Sequence, residues 1–136
     1  MGSRRSARII ALQALYQIDI CNKTKDNVLS FDWLDREFDG YTLNFSKKLI
    51  EGSLKHQNYI DSIIVAQLEH WDLDRLSYID RAILRFSTFS LFFQDDIPDT
   101  VVINEAVDLA KIFGTDDSYK FVNGVLDGIR KGKGEK

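Results

Sequence analysis

The sequence predicts an all-α protein of about seven helices. The 136 residues include only one proline and eight glycines. A protein of many short strands would need more of these turn-forming residues. Apolar residues recur at spacings of three and four along most of the chain, and no stretch alternates apolar and polar residues as a half-buried strand does. With 44% hydrophobic residues at this length, we expect residues 1–136 to form one domain with a substantial core.

The first helix is predicted to run to about Cys21. Its apolar face repeats at i, i+3, i+4 and i+7 through Ala7, Ile10, Ala11, Ala14, Leu15 and Ile18. Arg4, Arg5 and Arg8 lie at or before its first turn, where positive charge opposes the helix dipole. From the residues alone, a frayed and solvated terminus is the more common interpretation of such a segment.

The next segment is predicted as a loop followed by a short helix. Residues 22–27 are polar and are expected to form the loop. Aromatic and apolar residues in 31–38 predict a helix opened by Ser30 or Asp32 and ended by Gly40.

Two longer helical patterns occupy the middle of the chain. Residues 42–70 read as helix with a break near residues 57–58. A strongly apolar helix then begins at Asp74 or Ser77 and ends at Phe93, and we expect it to be the central core helix. Its polar stripe consists of Arg81, Arg85 and Thr88.

The C-terminal third predicts two helices joined by a tight acidic corner. Pro98 ends the preceding segment, and residues 101–113 form an apolar helix. Gly114 is expected to end that helix in the left-handed conformation. A last helix then carries Gly124 and Gly128 one turn apart, which predicts that another backbone passes close by.

Charge is segregated along the chain. Residues 1–8 and residues 128–136 each carry a net charge of +3, which leaves −9 for the body between them out of a total of −3. We therefore expect the ends to bind polyanions and the acidic body to dock a basic protein.

The residues do not predict an enzyme, a metal site or a cofactor. His56 and His70 lie 14 positions apart, and Cys21 is the only cysteine, so no set of metal ligands has paired spacing. Asp116 and Asp117 read as helix-terminus groups rather than as a catalytic pair. No apolar run has the length of a membrane span, and a single cysteine fits a reducing cytoplasm.

With those classes set aside, the sequence favours a binding protein, and its arginine and aromatic side chains are suited to RNA. Arginine pairs bidentately with phosphate and stacks on unpaired bases. Tyr16 and Phe121 could supply stacking surfaces for a single strand, although spacing alone favours core packing for both rings.

Two stretches resemble one family. RRSARIIALQALYQ near the start, and INEAVDLAKIFG followed by DDSYKFVNGVLDGI near the end, resemble NusB, a family of bacterial transcription antitermination factors. The resemblance implies two small helical bundles packed together. It also implies binding to boxA-type single-stranded RNA of ribosomal RNA leaders together with NusE, a small-subunit ribosomal protein, in an antitermination complex with RNA polymerase. The resemblance leaves open whether the protein forms a homodimer.

The same resemblance assigns roles to individual residues. It implies RNA binding by Arg4, Arg5, Arg8, Tyr16 and Phe121. It further places Asp80 and Asp117 near the surface for RNA or partner. The arginine run is thinner than is usual in the family, since Ser6 stands where arginine is common, and this gives NusE a larger role.

Two alternatives accompany this interpretation. NusB-like domains also occur ahead of RNA methyltransferases, in which case catalysis would lie outside this chain. The chain could instead be a helical module for oligomerisation or ribosome assembly, with incidental arginines. Crosslinking of RNA away from residues 4–16 would favour that second alternative.

Overall fold

The computed structural model describes residues 2–70 and 72–134. Within them the chain forms seven α-helices and a 3-10 turn at Leu73–Arg75, and no strand. The helices are α1 (Ser3–Cys21), α2 (Lys25–Leu29), α3 (Gly40–Lys55), α4 (Gln57–Val65), α5 (Tyr78–Phe93), α6 (Asp99–Phe113) and α7 (Ser118–Lys133). The predicted all-α class is confirmed.

Helix α5 lies at the centre of the molecule, as predicted. Every residue from Arg81 to Leu91 is buried, because neighbours cover the helix on all sides. Helices α1 and α3 pack on one side of it, with α2 against α1. Helices α4, α6 and α7 pack on the other side, so α5 joins two small bundles.

A partly buried ion-pair network links these bundles. The Arg85 guanidinium donates from Nε and Nη2 to the two carboxylate oxygens of Asp61 on α4, at 2.9 Å each. Its Nη1 donates to Asp19 on α1 at 3.1 Å. Burial opposes the charge on Arg85, but the hydrogen bonds and charges of Asp61 and Asp19 outweigh it and raise its pKa. The polar stripe of α5 therefore points into the protein.

The predicted short helix over residues 31–38 is wrong. These residues form turns and bends, and the helix lies earlier, at α2, which overlaps the end of the predicted polar loop. Thr24 starts α2 by accepting a hydrogen bond from the third helical amide at 3.1 Å. Phe31 then adopts a left-handed backbone conformation with φ of 57°, which stops helical propagation. The aromatic residues pack on the core from irregular chain.

The boundaries of the next two helices also differ from the prediction. Gly40 begins α3 instead of ending a helix, because the Asp39 side chain accepts a hydrogen bond from the Thr42 amide at 2.8 Å. The break falls at His56, close to the predicted position. Helix α4 ends at Val65, five residues before the predicted end.

Gly114 ends α6 as predicted, but the conformation and contacts predicted for the glycines differ from those observed. Gly114 is extended, with φ of −90°, and the Ser118 hydroxyl accepts a hydrogen bond from the next amide along the chain. Gly124 is exposed and has no described atom near its missing Cβ. Gly128 faces the side chain of Gln67, so a side chain rather than a backbone approaches it.

Candidate nucleic-acid interface

The N-terminal arginines belong to an ordered helix rather than a frayed terminus. Helix α1 starts at Ser3, and the Ser6 amide donates to the Gly2 carbonyl at 3.0 Å. Arg4, Arg5 and Arg8 therefore project from the first two turns of α1 in fixed directions.

Arg5 is held by two carboxylates of α6. Its Nε donates to Glu105 at 2.9 Å, and its Nη2 donates to Asp108 at 2.6 Å. Hydrogen bonds to Glu105 first, and then to Asp108, raise the pKa of the Arg5 guanidinium. These contacts connect the start of α1 to the middle of α6.

Arg8 is the buried member of the group, with 4% of its surface exposed. Its guanidinium carbon lies 5.5 Å from the centre of the Phe45 ring, and its Nη1 lies 4.0 Å from Glu105. Its Nη2 is buried and has no hydrogen-bond partner among the described residues. Burial lowers the pKa of Arg8 despite the attraction of Glu105. Arg8 therefore holds a buried donor atom that no described residue satisfies.

Arg4 is the most exposed of the three, with 42% of its side chain accessible. Its Nε donates to the Tyr41 hydroxyl at 3.0 Å, and its guanidinium lies 5.2 Å from the Phe45 ring centre. Asp96 lies 3.7 Å from its Nη2, in an exposed pair that contributes little.

The three arginines line one open cavity of about 610 Å³, together with Gly2, Val101 and Glu105. Three carboxylates, those of Asp96, Glu105 and Asp108, pair with these guanidinium groups. A phosphate entering the cavity would compete with them. The site is thus suited to a polyanion that brings several phosphates, because one phosphate would displace an existing partner for little gain.

Tyr16 lies on α1 two turns beyond the arginines, about 12 Å from Arg8 along the helix axis. It is half-buried, and its ring packs edge-on against Tyr78 with centres 6.1 Å apart. It lines a second groove of about 530 Å³, whose other walls include Trp33 and Phe113. The ring is therefore neither fully in the core nor beside the arginines.

Phe121 lies in the first turn of α7 and is half-buried. It packs on the core and lines a separate groove of about 300 Å³ with residues 67–70 of the loop after α4. The structure does not bring Phe121 into one groove with Tyr16 or with the arginines.

The two acidic positions occupy helix starts. The Asp80 amide donates to the capping hydroxyl of Ser77 at 3.1 Å, and Asp80 Oδ1 is buried with no hydrogen-bond partner among the described residues. Asp117 precedes α7 and is exposed. The Asp117 carboxylate does not bond to the described amides of α7. Its charge is available to a partner.

The basic C-terminal end is paired within the chain. Arg130 and Lys131 contact Asp127 at 2.7 and 3.0 Å, and these contacts lower the pKa of Asp127. Lys133 contacts the buried Asp99 at 2.9 Å. Residues 135–136 lie outside the described chain. The described cations of this end therefore each contact a carboxylate of the same chain.

Sequence reasoning missed three participants in the arginine site. Tyr41, Phe45 and Glu105 come from α3 and α6, far from α1 in sequence. The available signal was the three-residue spacing of Glu105 and Asp108, which places both carboxylates on one face of a helix. Nothing in the sequence indicated that this face meets α1.

Comparison with known proteins resolves the family. The NusB family model matches residues 5–131. Transcription antitermination protein NusB of Treponema pallidum (strain Nichols) is 52% identical over 130 residues, which cover 94% of this chain and 92% of that protein.

The chain belongs to the NusB family.

Solved NusB structures share the fold. T. maritima NusB superposes with a TM-score of 0.87 at 39% identity, covering 94% of this chain and 90% of that one. A chain from a crystal structure of the antitermination factors NusB and NusE in complex with dsRNA superposes with a TM-score of 0.81 at 31% identity, covering 97% and 98%. The predicted NusB resemblance is confirmed, and the Treponema protein and the NusB of the NusB–NusE complex are named as antitermination factors.

The NusB match includes all but one of the candidate residues. Arg5, Arg8, Tyr16, Asp80, Asp117 and Phe121 lie within residues 5–131. Arg4 lies just before the matched span, although its contacts with Tyr41 place it in the same cluster. In the part of the chain that the structure describes, no helix is long and apolar enough to cross a membrane, and no group of three acidic, histidine or cysteine side chains could hold a metal.

Proposed function

We propose that this NusB-family protein is a cytoplasmic transcription antitermination factor without catalytic activity. It binds boxA-type single-stranded RNA of ribosomal RNA leaders together with NusE, and the assembly helps RNA polymerase read through terminators. The whole chain, residues 1–136, acts as one RNA-binding domain.

The observation that carries the proposal is the arginine cavity. Arg4, Arg5 and Arg8 converge on one open space from an ordered helix, where Arg4 and Arg5 are partly accessible and Arg8 is buried. Pre-positioned guanidinium groups pair with phosphate at a lower entropy cost than flexible ones. Tyr16 would then stack a base further along α1, with Phe121 contacting RNA from α7.

The acidic body supports a basic protein partner. Residues 9–127 carry a net charge of −9, and the Asp117 carboxylate is exposed at the corner before α7. A basic ribosomal protein is complementary to this charge. The similar structure that contains both NusB and NusE supports NusE as that partner. Asp80 and Asp117 are the positions we assign to the shared surface.

The test is a fluorescence-anisotropy titration with a labelled boxA-like RNA, with and without purified NusE. A scrambled single strand and a duplex of the boxA sequence serve as comparisons. We expect the boxA-like single strand to bind more tightly than either, and NusE to tighten it further. Asp117→Asn should preserve the melting temperature while changing the affinity for RNA or NusE.

Equal affinity for boxA-like and scrambled RNA, with no effect of NusE, would contradict the proposal. Light scattering at the titration concentrations would show whether the binding species is a monomer or a homodimer. A terminator-readthrough assay with RNA polymerase then tests the final step separately.

A further inference from the structure

Tyr41 is an exposed aromatic ring at the edge of the arginine site. It is the second residue of α3, and 54% of its surface is accessible. Its hydroxyl accepts a hydrogen bond from Arg4 Nε at 3.0 Å. A single exposed aromatic ring is common on protein surfaces, but this one is hydrogen-bonded to an arginine of the proposed RNA site, which places it where a base could stack.

The ring is supported from below. Tyr41 stacks on Phe45 with ring centres 6.4 Å apart and planes 24° from parallel. Phe45 is itself 7% exposed and is covered by the guanidinium groups of Arg4 and Arg8. The hydroxyl bond and the stacked support restrict both torsions of Tyr41. Little side-chain entropy would therefore be lost when a ligand packs on its accessible surface.

We propose that Tyr41 is a stacking platform for one unpaired nucleobase whose phosphate is bound by the neighbouring arginines. The inference rests on the proposed function, since it adds a base-binding position to the same RNA site. Aromatic rings beside a positively charged groove bind single strands, because every base offers a π-face while the groove follows the phosphates. In a duplex the bases are already stacked and paired, so Tyr41 would favour single-stranded over double-stranded RNA.

Tyr59 provides a matched comparison within the same chain. It is 52% exposed, almost the same as Tyr41, and it lies on α4. Its neighbours are the rings of Phe92 and Phe93. Tyr59 thus matches Tyr41 in residue type and exposure, but it contacts a different cluster.

The experiment compares Tyr41→Ala, Tyr41→Phe and Tyr59→Ala in the full chain, using a labelled boxA-like single strand and its duplex. Tyr41→Ala should weaken single-strand binding by about tenfold, a typical loss for one stacked base. Duplex affinity should change little. Tyr41→Phe keeps the ring and loses the bond to Arg4, so it should bind within about twofold of wild type if stacking is the main term. Tyr59→Ala should bind as wild type does.

A scan of RNAs with single abasic nucleotides identifies the base. At one position the missing base should weaken wild-type binding by about tenfold and should have no further effect on Tyr41→Ala. Melting curves of each variant show that the folded protein is being compared.

Several outcomes would overturn the inference. If Tyr41→Ala binds the single strand with wild-type affinity, Tyr41 is not a stacking platform. If Arg4→Ala nevertheless loses affinity in the same experiment, the proposed RNA site still stands. Equal losses in Tyr41→Phe and Tyr41→Ala would show that the hydroxyl only positions Arg4. If Arg4→Ala, Arg5→Ala and Tyr41→Ala all bind as wild type does, the proposed RNA site itself is wrong, and the platform is rejected with it.

Discussion

Arg5 on α1 and Glu105 on α6 lie 100 residues apart in sequence and share a hydrogen bond of 2.9 Å between Nε and Oε2. Both side chains are partly accessible, at 29% and 24%. The bond fixes the direction of an arginine proposed to bind RNA. It also places a negative charge where a phosphate would enter, so the Glu105 carboxylate would compete with an RNA phosphate for the Arg5 guanidinium.

The competition predicts that Glu105→Gln tightens RNA binding. Removing one unit charge about 6 Å from a bound phosphate in water relieves about 0.7 kcal/mol, which is about threefold in affinity. Glu51→Gln is the matched control, because Glu51 is partly exposed and pairs with Lys47 on α3. Anisotropy titrations at fixed salt measure both variants. Unchanged or weaker binding by Glu105→Gln would show that RNA does not compete with this carboxylate.

The arginines should differ sharply in their effect on stability. Arg8→Ala removes a buried side chain packed on Phe45, and we expect a loss on the order of 1–3 kcal/mol in the free energy of unfolding. Arg4→Ala removes an exposed side chain and should cost less than about 1 kcal/mol. Urea denaturation measures both. Equal losses would mean that the burial of Arg8 is not maintained in solution.

The central position of α5 predicts a large cost for Phe86→Ala. This ring is 1% exposed, so its removal should cost about 3–5 kcal/mol. Phe93→Ala makes the same change at the end of α5, where the ring is 40% exposed, and should cost less than half as much. A loss below about 1 kcal/mol for Phe86→Ala would refute the assignment of α5 as the central helix.

The start of α3 should respond to acid. The backbone hydrogen bond from Thr42 lowers the pKa of Asp39 in the folded state. The contribution of ionised Asp39 to the stability of the folded protein is therefore complete above the ordinary pKa of aspartate. It is lost as the pH falls through the lowered pKa of the folded state. Asn also caps helices but does not titrate. Wild type should lose melting temperature relative to Asp39→Asn as the pH falls from neutral to below about 3. A constant difference across this range would contradict the role of Asp39.

Long amphipathic helices could be predicted from the sequence because their spacing is local information. Helices α1, α5, α6 and α7 each present apolar residues at helical intervals, and the structure places them close to the predicted positions. Helix α2 has five residues and one buried side chain, which is too short for a periodic pattern. The aromatic residues after it suggested a helix, but tertiary packing holds them in irregular chain.

The candidate site also combines residues that the sequence alone could group with residues that only the fold brings together. Arg4, Arg5 and Arg8 stand together in the sequence, so their shared location needed no tertiary information. Tyr41 and Glu105 join them only because α3 and α6 fold against the start of α1. The burial of Arg8 was also unforeseen, since an arginine in a terminal turn is usually solvated. Because of this burial, replacing Arg8 is expected to lower stability as well as to change the site.

The most direct test of the account is the salt dependence of RNA binding by wild type and by an Arg4→Ala, Arg5→Ala double variant. Arg8 is retained because it is buried. Each phosphate neutralised on a single strand contributes about −0.7 to the slope of log K against log salt concentration. We expect the double variant to bind boxA-like RNA more weakly, with a slope shallower by about 1.4. A double variant that keeps the affinity and the slope of wild type would show that the RNA is held elsewhere.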